Sequence, residues 1–187
     1  MNRIFSKGKF AIVLICGMLA ILLSACGLLT KKHLHGEKLL KLSDDQLFEA
    51  VYFQNLDLVE SYEDEETALS QISAARRTVY ILSIFDMEYQ CGGLCQFFVN
   101  SSRALGPYVD ECLEIVGAEE HRRLLSAFVT DNAIDLRSLA SCQIDDIAQY
   151  EAQLKRYDFD AFDNAFGELP ELQEYIVAYI KSNISEF

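Results

Sequence analysis

Thiol chemistry in this chain centres on four cysteines that follow residue 26. Cys91 and Cys95 enclose two glycines and a leucine, and this three-residue spacing differs from the two-residue spacing of thioredoxin-like redox sites. Cys112 and Cys142 complete an even number. In an oxidising compartment such a set forms disulfides, whereas in a helical core single thiols are commonly buried, so both states remain open. A thiol or redox enzyme that uses Cys91 and Cys95 is therefore one function to test.

Histidine offers little further chemistry. His33 and His35 lie in a polar stretch near the N-terminus, and His121 sits among Glu119, Glu120, Arg122 and Arg123. That charged setting predicts a solvated histidine on a helix surface. The spacing shows no phosphate-binding glycine loop, no nucleophile elbow and no paired metal-ligating histidines on a helix. We therefore predict no catalytic residue, no metal site and no cofactor.

Carboxylates are the most concentrated group. Six of them occur within residues 57–66 without an intervening base, and their spacing matches no calcium-binding loop: they are Asp57, Glu60, Glu63, Asp64, Glu65 and Glu66. A further ten acidic residues lie within 145–186. The pattern is typical of a solvated face, and it also fits an anionic surface that attracts a basic partner.

The two charge signs are used in different parts of the chain. The 187 residues contain 16 basic and 29 acidic side chains, but the first acid is Glu37. Residues 26–187 therefore carry 13 basic against 29 acidic residues, a net charge of −16. Such a surface repels phosphates, which excludes direct nucleic-acid binding and disfavours a bare anionic membrane.

The N-terminus has the profile of an export signal. Arg3, Lys7 and Lys9 precede or border fourteen apolar residues, 10–23, which is short for a membrane-spanning helix. The following Leu23-Ser24-Ala25-Cys26-Gly27 resembles the lipobox of bacterial lipoproteins. The resemblance implies that residues 1–25 are removed and that the Cys26 thiol receives a lipid, with palmitate-type acyl chains as the membrane anchor. It places the protein on the exported side of the cell membrane, or at the outer membrane in a Gram-negative cell.

The remaining chain is long enough for one domain, and the 187-residue sequence, at 51% hydrophobic residues, can fill a core. We assign residues 26–42 to a tether and residues 43–187 to an all-α domain, a single compact bundle of about six to seven helices. Apolar residues at helical spacing, caps and breakers predict helices that begin near Ser43 and cover 66–89, 94–99, 107–116, 119–129, 144–157 and 170–183.

One stretch of the domain resembles a known family. Residues 88–102 carry a glutamate, a glycine pair, a glutamine, two phenylalanines and an Asn-Ser step: Glu88, Gly92, Gly93, Gln96, Phe97, Phe98, Asn100 and Ser101. This pattern is similar to the signature of the DNA-mimic-protein-like family of acidic helical bacterial domains, and the resemblance covers about residues 40–185. Cys91 and Leu94 depart from the family's asparagine and aromatic residue. The resemblance implies an all-helical fold whose carboxylates imitate DNA phosphates, although an exported domain does not meet a cytosolic regulator.

These observations together predict a membrane-anchored lipoprotein with a noncatalytic acidic domain that binds a basic protein. Besides the thiol enzyme, an immunity or accessory lipoprotein of an envelope or toxin system is the alternative.

Overall fold

The computed structural model describes residues 34–141 and 147–187. The predicted export signal, the lipidation candidate Cys26, His33 and Cys142 lie outside the described residues, as does the predicted helix start at residue 144. The all-α class is confirmed, since the described residues contain helices and no strand. None of their helices is long and apolar enough to cross a membrane.

Nine α-helices and three short 3-10 helices make up the described chain. The α-helices are α1 (Asp44–Glu60), α2 (Glu65–Gln71), α3 (Ala74–Val99), α4 (Gly106–Val116), α5 (Glu119–Asp131), α6 (Leu136–Ala140), α7 (Ile147–Leu154), α8 (Phe159–Gly167) and α9 (Leu172–Ser182). The 3-10 helices are η1 (Gly36–Lys41), η2 (Ser101–Leu105) and η3 (Ile184–Glu186). The number exceeds the predicted six to seven because two short helices, α6 with five residues and α8 with nine, were not predicted.

Polar side-chain caps mark the starts of four described α-helices, α1, α2, α3 and α6. The Ser43 hydroxyl accepts a hydrogen bond from the Gln46 amide at 3.4 Å, which begins α1 where the sequence predicts it. The predicted helix 66–89 is instead divided, because Ser73 has an extended backbone and caps α3 by accepting from the Arg76 amide at 3.3 Å. Gly117 ends α4 in the left-handed conformation, with φ of 78°, as expected for a helix-terminating glycine.

The long helix α3 organises the core. It contacts α1, α4, α7, α8, α9 and η2. Its Phe85 packs edge-on against Phe97, with ring centroids 5.0 Å apart, and against Phe166 of α8 at 6.0 Å. Phe98 lies in a second aromatic group with Phe159 at 5.9 Å. Burial of these rings supplies much of the apolar contact that holds the helices together.

The folded unit begins at His35, within the predicted tether. The Gly36 amide donates to the Phe187 carbonyl at 2.8 Å, and η1 packs against η3. Leu39 is fully buried, and the Arg76 guanidinium lies 5.3 Å from the Phe187 ring centroid. The two ends of this unit therefore lie side by side.

Candidate interaction surface

The acidic cluster of residues 57–66 spans the end of α1 and the start of α2. Five of its six side chains are exposed, and Glu65 is half-buried. Asp64 caps α2, because its carboxylate accepts a hydrogen bond from the Thr67 amide at 2.7 Å. Hydrogen bonds from the backbone and side chain of Thr67 lower the pKa of Asp64. Glu65 accepts a hydrogen bond from the Tyr80 hydroxyl at 2.7 Å. The cluster is thus a surface patch in which Asp64 and Glu65 also stabilise the local structure.

An open groove of about 520 Å³ adjoins this cluster. It lies between α2 and α4, with residues of α3 and η2 also lining it. One face of α4 enters the groove at positions i, i+3, i+4 and i+7: Tyr108, Glu111, Cys112 and Ile115. Leu105, Ile81 and Thr78 are buried at its floor, whereas Tyr108 and Ile115 are 48% and 43% exposed.

Carboxylates outnumber cations in this groove. Glu65, Glu66 and Glu111 line it together with a single guanidinium, that of Arg77. Within the described ranges, no basic side chain forms an ion pair with these three glutamates.

The opposite face of α4 has a different electrostatic arrangement. There Arg122 of α5 pairs with Asp110 at 3.0 Å and with Glu114 at 3.1 Å. The acids of α4 that face α5 therefore share a paired cation, whereas Glu111 at the groove forms no ion pair with a described basic residue.

The glycine pair of the signature bends α3, in agreement with the predicted interruption. Gly92 and Gly93 have non-helical backbones, and Gly93 has φ of 71° and ψ of −174°, a region essentially restricted to glycine. The freed Leu94 amide donates to the Asp163 carboxylate of α8 at 2.9 Å. A Cβ atom at Gly93 would collide with Asp163 Oδ2. The glycines thus allow α8 to cap the second half of α3.

Other signature residues stabilise the turn after α3. The Glu88 carboxylate accepts from the Asn100 side-chain amide at 2.7 Å and from the Ser102 hydroxyl at 2.9 Å. Asn100 has left the helix, with ψ of 166°, so it does not continue the helical face of Gln96. Ser101 is exposed at the start of η2.

Phe97 and Phe98 are almost fully buried. Together with the glycine pair and the Glu88 hydrogen bonds, they make the signature a structural element that sets the bend and the end of α3.

The sequence model of the family described as DMP19-like protein matches residues 70–183, more than half of the chain. The chain belongs to the DMP19-like family. No curated protein and no solved structure matches it. The matched region of this DMP19-like chain contains the bend, its Asp163 cap and the whole of α4. The acidic cluster of residues 57–66 precedes it, so that cluster lies outside the family match.

The cysteines of the DMP19-like domain lie in three different environments. Cys91 is exposed, Cys95 is half-buried, and Cys112 is buried beneath the groove; these three are not joined to one another. Burial raises the pKa of the Cys95 thiol to about 11, with a smaller contribution from Asp163, and raises that of Cys112 to about 12. Both thiols are therefore protonated at neutral pH, which makes them poor nucleophiles. Among the described residues, no group of three His, Cys, Asp or Glu side chains could hold a metal ion.

The prediction that His121 is solvated is wrong. Its side chain is 1% exposed, its Nε2 lies 2.9 Å from the Pro170 carbonyl, and its ring packs against Phe166 and Tyr175. The helix start that looked exposed in sequence is covered by the loop before α9. Burial lowers the pKa of His121, so the neutral ring is favoured.

Three features of the surface and core were absent from the sequence analysis. The groove depends on the tertiary approach of α2 and α4, although Tyr108 and Ile115, seven residues apart on a predicted helix, were a readable signal. The Asp163 cap joins residues 69 positions apart and had no local signal. The third is Asp86, which is 6% exposed and whose Oδ1 has no hydrogen-bond partner among the described residues.

Asp86 should make stability depend on pH. Burial raises its pKa from 3.8 to about 6, opposed by a Gln90 hydrogen bond and assisted by the Glu171 charge. The folded state binds a proton on the Asp86 carboxyl group more tightly than the unfolded state does. The stabilisation that this protonated carboxyl group provides is therefore complete below pH 3.8 and is lost as pH rises through about 6. We expect Asp86→Asn to raise the free energy of unfolding at pH 7.5 by roughly 2 to 3 kcal/mol.

Urea denaturation followed by circular dichroism from pH 4 to pH 7.5 would measure this difference. The gain should shrink toward pH 4, where the aspartic acid is protonated in the native protein. Asp131→Asn, at an exposed carboxylate, is the control and should have little effect. A gain of the same size at both pH values would contradict the assignment to Asp86.

Proposed function

We propose that this DMP19-like protein is a bacterial lipoprotein, anchored through Cys26, whose acidic helical domain binds a basic protein without catalysis. The family match supports an acidic helical domain of the DNA-mimic kind. The lipobox-like segment before Cys26 supports the anchor. Two acyl chains hold a protein stably on a membrane, because each buried methylene contributes about 0.8 kcal/mol.

The observation that carries the binding function is the continuity of exposed acidic charge. The last two members of the acidic cluster, Glu65 and Glu66, line the groove, and Glu111 faces them from α4. Charge concentrated in this way raises the rate of encounter with a basic protein and selects against acidic ones. In a DNA mimic such carboxylates take the place of phosphates. On the exported side of a membrane the same chemistry would serve a basic envelope or extracellular protein.

The raised thiol pKa of Cys95 weighs against the alternative of a thiol enzyme. Such an enzyme needs a thiolate near neutral pH, and burial of Cys95 opposes the formation of that charge.

Salt dependence tests the binding function. The mature protein, immobilised and exposed to an envelope extract, should retain basic proteins at roughly 0.05 M salt and release them at roughly 1 M, where the Debye length falls to about 3 Å. A version in which Asp57, Glu60 and Glu63 are changed to the amides should retain less. Retention that is insensitive to salt would show that binding does not depend on the acidic surface.

The anchor is tested separately through Cys26→Ala. We expect this variant to accumulate as full-length precursor and to lose all incorporation of labelled palmitate, because the thiol that accepts the lipid is absent. Mass spectrometry and autoradiography would measure the two effects. Cys91→Ala is the matched control and should be processed and labelled normally. Persistent labelling of Cys26→Ala would refute the lipoprotein assignment.

A further inference from the structure

We propose that the groove between α2 and α4 is a docking site for a basic amphipathic helix of a partner protein. The inference rests on the proposed binding function and deepens it, because it names the surface and the chemistry of the partner. The large apolar side chains of the partner's helix would pack on Tyr108 and Ile115. The lysines or arginines of that helix would pair with Glu65, Glu66 and Glu111.

The shape of the groove indicates an occupant with apolar anchors. Tyr108 and Ile115 are among the large hydrophobic residues that the described surface exposes, and both border the same cavity. They lie two helical turns apart on α4, about 10.5 Å along its axis. An incoming helix presents apolar side chains at the same spacing when they occur at positions i, i+3 or i+4, and i+7.

Charge complementarity indicates that the occupant is basic. The three groove glutamates form no ion pair with a cation within the described residues. In contrast, Asp110 and Glu114, which share α4 with Glu111, are both paired with Arg122. Glu65 is also held in place, because the Tyr80 hydroxyl donates to one of its oxygens at 2.7 Å and Tyr80 is buried. Burial and the neighbouring glutamate raise the Tyr80 pKa, so this hydroxyl remains a donor at neutral pH.

The all-helical surroundings favour a helix over an extended peptide. An extended peptide gains affinity by adding a strand to a sheet edge, and the described residues contain no strand. Here the walls are side chains of helices, as in other grooves that receive an amphipathic helix. A groove of about 520 Å³ accommodates a few large side chains, which suits the apolar face of such a helix.

Binding of a synthetic helix tests the inference. The full chain would be placed in phosphatidylcholine nanodiscs and titrated against a rhodamine-labelled peptide of about 18 leucines and lysines, about 27 Å of helix, with leucine every third or fourth residue. A peptide of identical composition, with the order changed so that its leucines do not lie on one helical face, is the control. Fluorescence anisotropy, corrected for empty nanodiscs, should show tighter binding of the first peptide.

Two pairs of matched variants locate the site. The double variant Tyr108→Ser with Ile115→Ser should weaken binding of the first peptide roughly tenfold, since both apolar anchors are lost. The control is the double variant Met87→Ser with Tyr150→Ser. These two residues are similarly exposed but do not line the groove, so this variant should leave binding unchanged.

For charge, the groove triple variant of Glu65→Gln, Glu66→Gln and Glu111→Gln should weaken binding more than a triple variant outside the groove. The latter consists of Asp131→Asn, Asp160→Asn and Glu168→Gln, and it changes the net charge equally.

The outcomes separate this inference from the proposed function. Equal binding of both peptides, or equal effects of the groove variants and their controls, would overturn the groove as a docking site. The proposed function would then stand if binding still falls with salt. Absence of peptide binding at roughly 0.05 M salt would also overturn the groove, while the capture of basic envelope proteins would judge the proposed function independently.

Discussion

Gly93→Ala should destabilise the domain by about 2 to 4 kcal/mol, because it affects both the backbone and the cap at the α3 bend. A residue with a Cβ atom held in the Gly93 conformation costs about 1 to 3 kcal/mol. Its Cβ would also collide with the Asp163 carboxylate, which must then move and release the Leu94 amide. Loss of such a cap costs about 1 kcal/mol more. Urea denaturation followed by circular dichroism would measure the loss.

Two variants separate these contributions. Gly117→Ala has a similar positive φ, of 78°, but open space around the new Cβ, so we expect a loss of only about 1 kcal/mol. Asp163→Ala removes the cap alone and should cost about 1 kcal/mol. If Gly93→Ala were no more harmful than Gly117→Ala, the close approach of α8 to the bend would not be what requires the glycine.

Phe98→Ala should cost about 3 to 5 kcal/mol, the range for deleting a fully buried aromatic ring. Phe98 is 2% exposed and packs against Phe159 at 5.9 Å, Phe128 at 6.4 Å and Tyr157 at 6.5 Å. Its loss removes contacts between α3 and both α5 and α8, so the C-terminal half of the domain should become less protected from hydrogen exchange. Thermal denaturation and exchange of backbone amides would measure these effects.

The comparison variants define the cause. Phe98→Leu keeps most of the apolar volume and should cost about 1 to 2 kcal/mol. Tyr108→Ala removes an aromatic ring of which nearly half is exposed and should change stability by about 0.5 kcal/mol or less. A small effect of Phe98→Ala would mean that the aromatic group does not join these helices energetically.

Much of the helical architecture could be predicted because its causes are local. The α1 cap at Ser43, the bend at Gly92 and Gly93 and the end of α4 at Gly117 each depend on residues close in sequence. The division between α2 and α3 was missed because apolar spacing continues across Ser73, and only its capping hydrogen bond to Arg76 reveals the break. Periodicity therefore predicted where helices occur better than where each one begins.

The candidate site could be predicted only in part. The six acids of residues 57–66 are a composition feature, visible without a structure. Tyr108 and Ile115 gave a signal for an apolar face, but the groove itself could not be foreseen, because Glu65 and Glu111 are 46 positions apart and approach each other only in the folded domain. The environment of His121 was predicted wrongly for the same reason. Tyr175 belongs to α9 and Pro170 to the loop before it, and both are distant from His121 in sequence.

The amino-acid sequence alone determined the helical class, the acidity and most of the turning points of this chain, since charge, helix caps and glycine conformation act over a few residues. The tertiary structure decided which charges form ion pairs, which thiols are buried and where apolar side chains remain open to solvent. Arg122 pairs with Asp110 and Glu114, whereas Glu111 lies at the groove without such a pair among the described residues. Such distinctions depend on distances between helices, and packing of the whole domain sets those distances.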